Sequence, residues 1–266
     1  MRGKKIRWME NSQNLQNSYC SIIKRFKRTC VEWGWKEDSS MWSSIREGTA
    51  IFNTDLESVD IKDIKYIVVA DNPGQNERNN AKYLFDNCAD HRCSGYIAHR
   101  IFEKIFTDGS YIVLNKCPIY TDESDDLNSE NIDKNRRDES MRYMAKLIFD
   151  INSLKPDIHV YVFGINGLFD NKNKKIKNGL WTPFFDELIE LYKDSENFPT
   201  LAKHFSRHCI FDDFILSDDG EIQIKPRLEI DDLNAGNAAG FLRELGNLPY
   251  SDNLRHWEHV KRGKKK

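Results

Sequence analysis

Short apolar runs in this chain of 266 residues stop at side chains able to hold a ligand and exchange protons with it. Tyr66-Ile67-Val68-Val69-Ala70 runs into Asp71-Asn72-Pro73-Gly74, and Tyr111-Ile112-Val113-Leu114 into Asn115. Asp157 to Phe163 ends in Gly164, and Pro199 to Lys203 ends in His204. The runs are too short for helices, rich in β-branched and aromatic residues and bounded by turn formers, so they read as buried strands. Helical segments separate them, which predicts parallel strands with their carboxyl ends at one edge of a sheet. Open α/β sheets bind ligands at that edge. Asp71, Asn72, Asn115 and His204 are therefore expected to share one crevice. Each also has an ordinary structural use. Asp71 suits a helix N-cap, Asn115 the closing of a loop, and His204 a satisfied structural histidine. Only the series at successive strand ends favours a site.

The elements that must position these groups follow from periodicity. Leu15, Tyr19, Ile22, Ile23, Phe26, Cys30 and Trp33 lie at helical spacing over residues 12–35 and predict an amphipathic helix packed on the domain. Trp33, Trp35 and Trp42 gather at its end as core residues. Further helices are expected at 77–87, 96–106, 136–152 and 183–194, the third with Met141, Met144, Ile148 and Ile151 on one face. The loop Tyr120 to Asp126 is acidic and emerges on the crevice side, where it would repel phosphates. Lys172, Lys174, Lys175 and Lys177 follow the third strand as a counterweight. A hairpin is expected within 210–230 and a short helix at 235–246. The expected organisation is a helical extension over 1–60 packed on the core, an α/β domain over 61–250 and a basic tail over 251–266.

Composition narrows the function. Hydrophobic residues are 39% of the chain, low but adequate for a core, and the 12% aromatics compensate through their large buried area. A net charge of −2 announces no nucleic-acid partner, so one would need a local basic patch. The basic termini read as solvated tails. Without a long apolar span or a signal-peptide core, the expectation is a cytoplasmic protein with no membrane partner and six reduced cysteines. Cys88-Ala-Asp-His-Arg-Cys93 fits no common zinc spacing, so no metal is expected. Nothing like Gly-x-Gly-x-x-Gly or Gly-x-x-x-x-Gly-Lys points to a dinucleotide or P-loop site, and no cofactor is expected.

The strand ends resemble, in order, the motifs of the uracil-DNA glycosylase superfamily. Ala70-Asp71-Asn72-Pro73-Gly74 is similar to the Gly-Ile-Asn-Pro-Gly of its mismatch-specific branch, and Leu114-Asn115 to the second-strand asparagine motif. Asn115-Lys-Cys-Pro118 resembles a segment of the iron–sulfur branch. Pro156 to Gly164 resembles the third-strand segment, and His204-Phe205-Ser206 the final His-Pro-Ser. The likeness covers roughly residues 60–215 and rests on the series rather than on any one motif. It implies a three-layer α/β/α fold around a mainly parallel four-stranded sheet. It implies excision of uracil or a related deaminated base from single-stranded or mismatched DNA, after flipping the base from the stack. In that reading Asn115 reads the O4/N3–H edge, His204 donates to O2 as charge develops there, and Asn72 holds the attacking water. Asp71 would be the general base. Pro73, Gly74, Ser206, Arg207 and His208 would grip phosphates or fill the gap in the stack.

Departures matter too. Where relatives carry a phenylalanine that stacks on uracil, Cys93-Ser94-Gly95 offers none, leaving Tyr83, Phe85 or Tyr96 as substitutes. Phe205 replaces the final proline, Arg207-His208 replaces an apolar wedge, and Cys117 lacks the partners of a cluster ligand. An inactive glycosylase fold that binds nucleic acid or a protein is the alternative. A small-ligand enzyme for a nucleotide or free nucleobase ranks third.

Overall fold

The computed structural model describes residues 2–84, 110–164, 179–195 and 198–202, with Gly95, Ala98, His99, Phe102 and Phe106 between. His204, Phe85, Ser206, Arg207 and His208 lie outside the described residues. So do the lysine run after the third strand, the segments expected as a hairpin and a short helix, and the basic tail.

The chain is a mixed α/β protein built on a parallel open sheet. β1 (Ile64–Ala70) lies between β2 (Ser110–Asn115) and β3 (His159–Phe163), and the short β4 (Thr200–Ala202) pairs with β3. All pairings are parallel. Ile67, Val68 and Val69 are fully buried, as expected of a central strand covered on both faces. Alternation puts Tyr66, Tyr111, Tyr161 and Phe163 on one face. There Phe106 stacks on Tyr66 (4.2 Å between centroids) and Phe102 meets Tyr111 (5.3 Å) and Phe163 (5.8 Å). The other face carries Ile67, Val69, Ile112, Leu114 and Val162.

Helix α1 (Arg2–Glu32) ends where Gly34, at φ 99°, lets the chain turn: Trp35 N donates to Cys30 O (2.8 Å) and Gly34 N to Val31 O (3.0 Å). Tyr19, Ile23, Phe26 and Cys30 belong to the same core as the sheet. Helix α2 (Gln75–Asn80) is shorter than the 77–87 its sequence suggests. Ala81 takes a left-handed conformation (φ 51°) because its carbonyl is held by Thr54 through both N (2.9 Å) and Oγ1 (3.1 Å). Helix α3 (Lys134–Leu154) starts at Asp133, which accepts from Asn135 N and Arg136 N, and buries Met141, Met144, Ile148 and Ile151 as the spacing requires. Helix α4 is Thr182–Tyr192. No helix among the described residues is long and apolar enough to cross a membrane.

Because α1 packs on α3 through Phe26 and Tyr143 (6.0 Å), and on Phe52 (5.5 Å), it acts as a core element. Phe26 is fully buried. Phe26→Ala is expected to cost about 3–5 kcal/mol, the usual cost of a large aromatic cavity. Urea denaturation measures this, and a loss under 1 kcal/mol would mean that α1 docks only loosely.

Candidate active site at the carboxyl edge of the sheet

β1 and β2 keep pairing past their ends: Lys116 N donates to Ala70 O (2.8 Å) and Cys117 N to Asp71 O (3.2 Å). Ala70 is the register partner of Asn115. The sequence candidates Asp71, Asn72 and Asn115 therefore stand at one sheet edge. The pleat directs them differently: Asp71 shares a face with Lys116, and Asn115 lies with Ala70 on the aromatic face.

Asp71 is not an open carboxylate. The Lys116 ammonium is bonded to its Oδ1 and also donates to Gly164 O (3.0 Å). The same ammonium sits 4.6 Å from the Trp181 ring centroid and 5.8 Å from that of Phe185. The Lys116 side chain is fully buried, whereas that of Asp71 is 20% exposed. Burial pushes the lysine below its ordinary range, and the Asp71 charge opposes this. One cation thus ties together the segments that follow β1, β2 and β3.

The orientation of Asn72 is fixed by its partners. Its Nδ2 donates to Pro73 O (3.3 Å), Ile119 O (3.3 Å) and Thr121 Oγ1 (2.8 Å). Thr121 gives its own proton to Glu123 O (2.7 Å), so all three partners are acceptors. Only the amide nitrogen can face them, and Oδ1 must point the other way. That oxygen is buried and has no hydrogen-bond partner. Asn72→Asp would turn an anionic oxygen toward three acceptors. It is expected to cost about 1–3 kcal/mol, read as a drop in the urea midpoint. An unchanged midpoint would contradict the assigned orientation.

Asn115 is 1% exposed, and its Oδ1 likewise lacks a partner. A buried acceptor left unpaired costs about 1–3 kcal/mol. Neighbouring strand ends thus each present an amide oxygen suited to an N–H or O–H of a bound molecule.

The other expected residues are placed differently. Pro73 is buried and brings no N–H. The Gly74 N–H is taken by Glu77 Oε2 (3.1 Å), so a carboxylate occupies the place expected for a phosphate. Tyr83 is 3% exposed with its hydroxyl committed to Ile51 O (2.6 Å), and burial pushes that hydroxyl well up. Its ring is a core residue rather than an open stacking platform. A cavity of about 320 Å³ lies along β2, lined by Tyr83, His99, Tyr111 and Val113 among others. Of the expected site residues that are among the described residues, only Tyr83 touches it. There His99 bridges the Tyr111 hydroxyl and Leu84 O, both at 2.6 Å. No group of three or more His, Cys, Asp or Glu able to hold a metal occurs among the described residues.

Sequence reasoning passed over Lys116, Thr121 and Glu77. For Lys116 the signal was present: it continues the inward alternation of Ile112 and Leu114. For Glu77 it was the spacing of three residues after a helix-capping Gly74. Thr121 had no local signal, since its role depends on a loop that folds back onto Asn72.

The fold and site together define a parallel-sheet α/β protein with an amide-lined carboxyl edge. No protein-family model matches the chain, and no curated protein matches it.

Proposed function

We propose that the protein hydrolyses the N-glycosidic bond of uracil or a related deaminated base, in the manner of the uracil-DNA glycosylases its strand ends resemble. The observation that carries this is Asn115, an almost fully buried amide whose Oδ1 has no partner. A purely structural asparagine gains nothing from an orphaned oxygen, whereas the N3–H of a pyrimidine would satisfy it. In this reading Asn72 Oδ1 accepts a hydrogen bond from the attacking water, and Lys116 keeps Asp71 beside it. The four-stranded, three-layer form of the fold belongs to the same proposal, because it would bring His204, after β4, to the leaving base.

An amide orients water but accepts no proton, and a true general base contributes about 10²–10⁴ in rate. With Asp71 bound to Lys116 the reaction is expected to be slow. Most of the acceleration would come from stabilising the departing base, where one donor is worth about 10²–10³. The test is release of free base from uracil-containing substrates, with Asn72→Ala and Asn115→Ala beside the wild type. Folded protein that releases no base from any substrate rejects the proposal. A fully active Asn115→Ala rejects the site. The commitment of Asp71 to Lys116 favours a second reading, a module that binds without catalysis. It predicts saturable binding with no base release.

A further inference from the structure

We propose that Thr121 is a positioning residue for the hydrolysis: through Asn72 it sets how the attacking water is presented to the sugar. The inference rests on the base-excision reading and names a residue without which the water is held wrongly.

Asn72 uses its amide unevenly. The two Nδ2 protons face three acceptors, Pro73 O (3.3 Å), Ile119 O (3.3 Å) and Thr121 Oγ1 (2.8 Å). Its Oδ1 is buried with no hydrogen-bond partner among the described residues. Both carbonyls stand beyond the usual hydrogen-bond range of about 2.7–3.2 Å, and Thr121 Oγ1 stands inside it. A hydroxyl donates as well as accepts, so by itself Thr121 would hold either end of an amide. Its proton is claimed by Glu123 O (2.7 Å), which leaves a lone pair for Asn72. The chain from Glu123 O through Thr121 Oγ1 to Asn72 Nδ2 thus fixes which end of the amide turns away from the loop. Thr121 is itself buried and anchored. Its N donates to Pro73 O (3.4 Å), and the neighbouring Tyr120 N donates to Thr49 O (2.9 Å).

The direction matters because water attacks with a lone pair. Water that donates to Asn72 Oδ1 keeps its lone pairs for C1′. With the amide reversed, Nδ2 would donate to the water and engage the lone pair that the reaction needs. In the reaction the oxygen of water bonds to C1′ and the C1′–N bond breaks. Its electron pair leaves with the base, and the base takes up the proton that water loses. Thr121 touches none of these atoms and acts on the water through Asn72. Its loss therefore falls on the chemical step rather than on capture of the base, which this reading assigns to Asn115.

The experiment measures uracil release by the full chain from single-stranded, U:G and U:A oligonucleotides. It compares wild type, Thr121→Val, Thr121→Ser, Asn72→Ala and the double variant Asn72→Ala with Thr121→Val. Valine keeps the shape of the side chain and removes the hydroxyl. Thr121→Val is expected to lower kcat by about tenfold or more, with KM within about twofold of wild type, as for a reacting group held out of place. Thr121→Ser keeps the hydroxyl and is expected to stay within about threefold of wild type. In the Asn72→Ala background Thr121→Val is expected to change kcat by less than about twofold, because its route to the water is already gone. Wild-type kcat in Thr121→Val, or its full loss repeated in the Asn72→Ala background, overturns this inference and leaves the base-excision reading standing. Thr121→Ser as slow as Asn72→Ala does the same, whether or not the valine variant folds. No release by the wild type from any substrate overturns both.

Discussion

Asp71→Asn is expected to destabilise the protein by about 3–5 kcal/mol at neutral pH, the cost of leaving a buried charge without its partner. The asymmetry of the pair decides which single variant suffers more. Lys116 is fully buried and cannot reach water when its carboxylate is gone. Asp71 keeps 20% exposure, so Lys116→Met leaves a charge that solvent can still reach, and its loss is expected to be smaller. Lys116→Met with Asp71→Asn removes both charges and is expected to recover most of the stability, since a buried ion pair is rarely worth more than apolar packing. The pH dependence carries the same signature. The Lys116 ammonium is held below its ordinary value of 10.5 by burial, with Asp71 acting to raise it. Between the folded and unfolded values the unfolded chain binds the extra proton, so this group makes stability rise with pH and level off above 10.5. Without Asp71 the folded value falls further and the rise begins at lower pH. Urea titrations of wild type, both singles and the double from pH 7 to 10 measure this. An Asp71→Asn variant within 1 kcal/mol of wild type, or one whose deficit does not shrink with pH, would show that the buried pair does not hold the strand ends together.

The pair also shows where reading the sequence works and where it stops. β1, β2 and β3 were legible because strands buried on both faces must be continuous apolar runs, and α3 because Met141, Met144, Ile148 and Ile151 repeat at helical spacing. The early end of α2 was not legible. Ala81 is a good helix former, and it leaves the helix only because Thr54, distant in sequence, claims its carbonyl. Lys116 sits between. Its alternation with Ile112 and Leu114 points inward, but a lysine reads as exposed until Asp71, Gly164 and Trp181 are seen to surround it. The Pro73-Gly74 turn was read as a phosphate grip from the resemblance, yet Glu77 three residues on was the local sign that its N–H was already taken. Asp71, Asn72 and Asn115 were identifiable as strand-end groups. That the Asn72 amide oxygen would be left without a partner was not, because its orientation depends on a loop at 119–123 folded back onto it.

Asn115→Leu is expected to abolish base release, a loss of at least about 10²-fold, while leaving the fold as stable as wild type or about 1–3 kcal/mol more stable. The two effects move in opposite directions for one reason. Leucine is close to asparagine in shape and replaces a buried carbonyl that has no donor with a methyl group that needs none. In the empty protein this removes a desolvation penalty; in the complex it removes the acceptor that meets the base. Stability held in reserve at a ligand-binding group is a common feature of sites whose polar atoms wait for a partner. If Asn115 were simply part of the scaffold, with its oxygen satisfied, the leucine variant would lose stability together with any activity. Urea denaturation and base release measured on the same preparation separate the cases. A clear fall in the midpoint for Asn115→Leu would mean that its amide is part of the scaffold. Undiminished base release would remove Asn115 from the site.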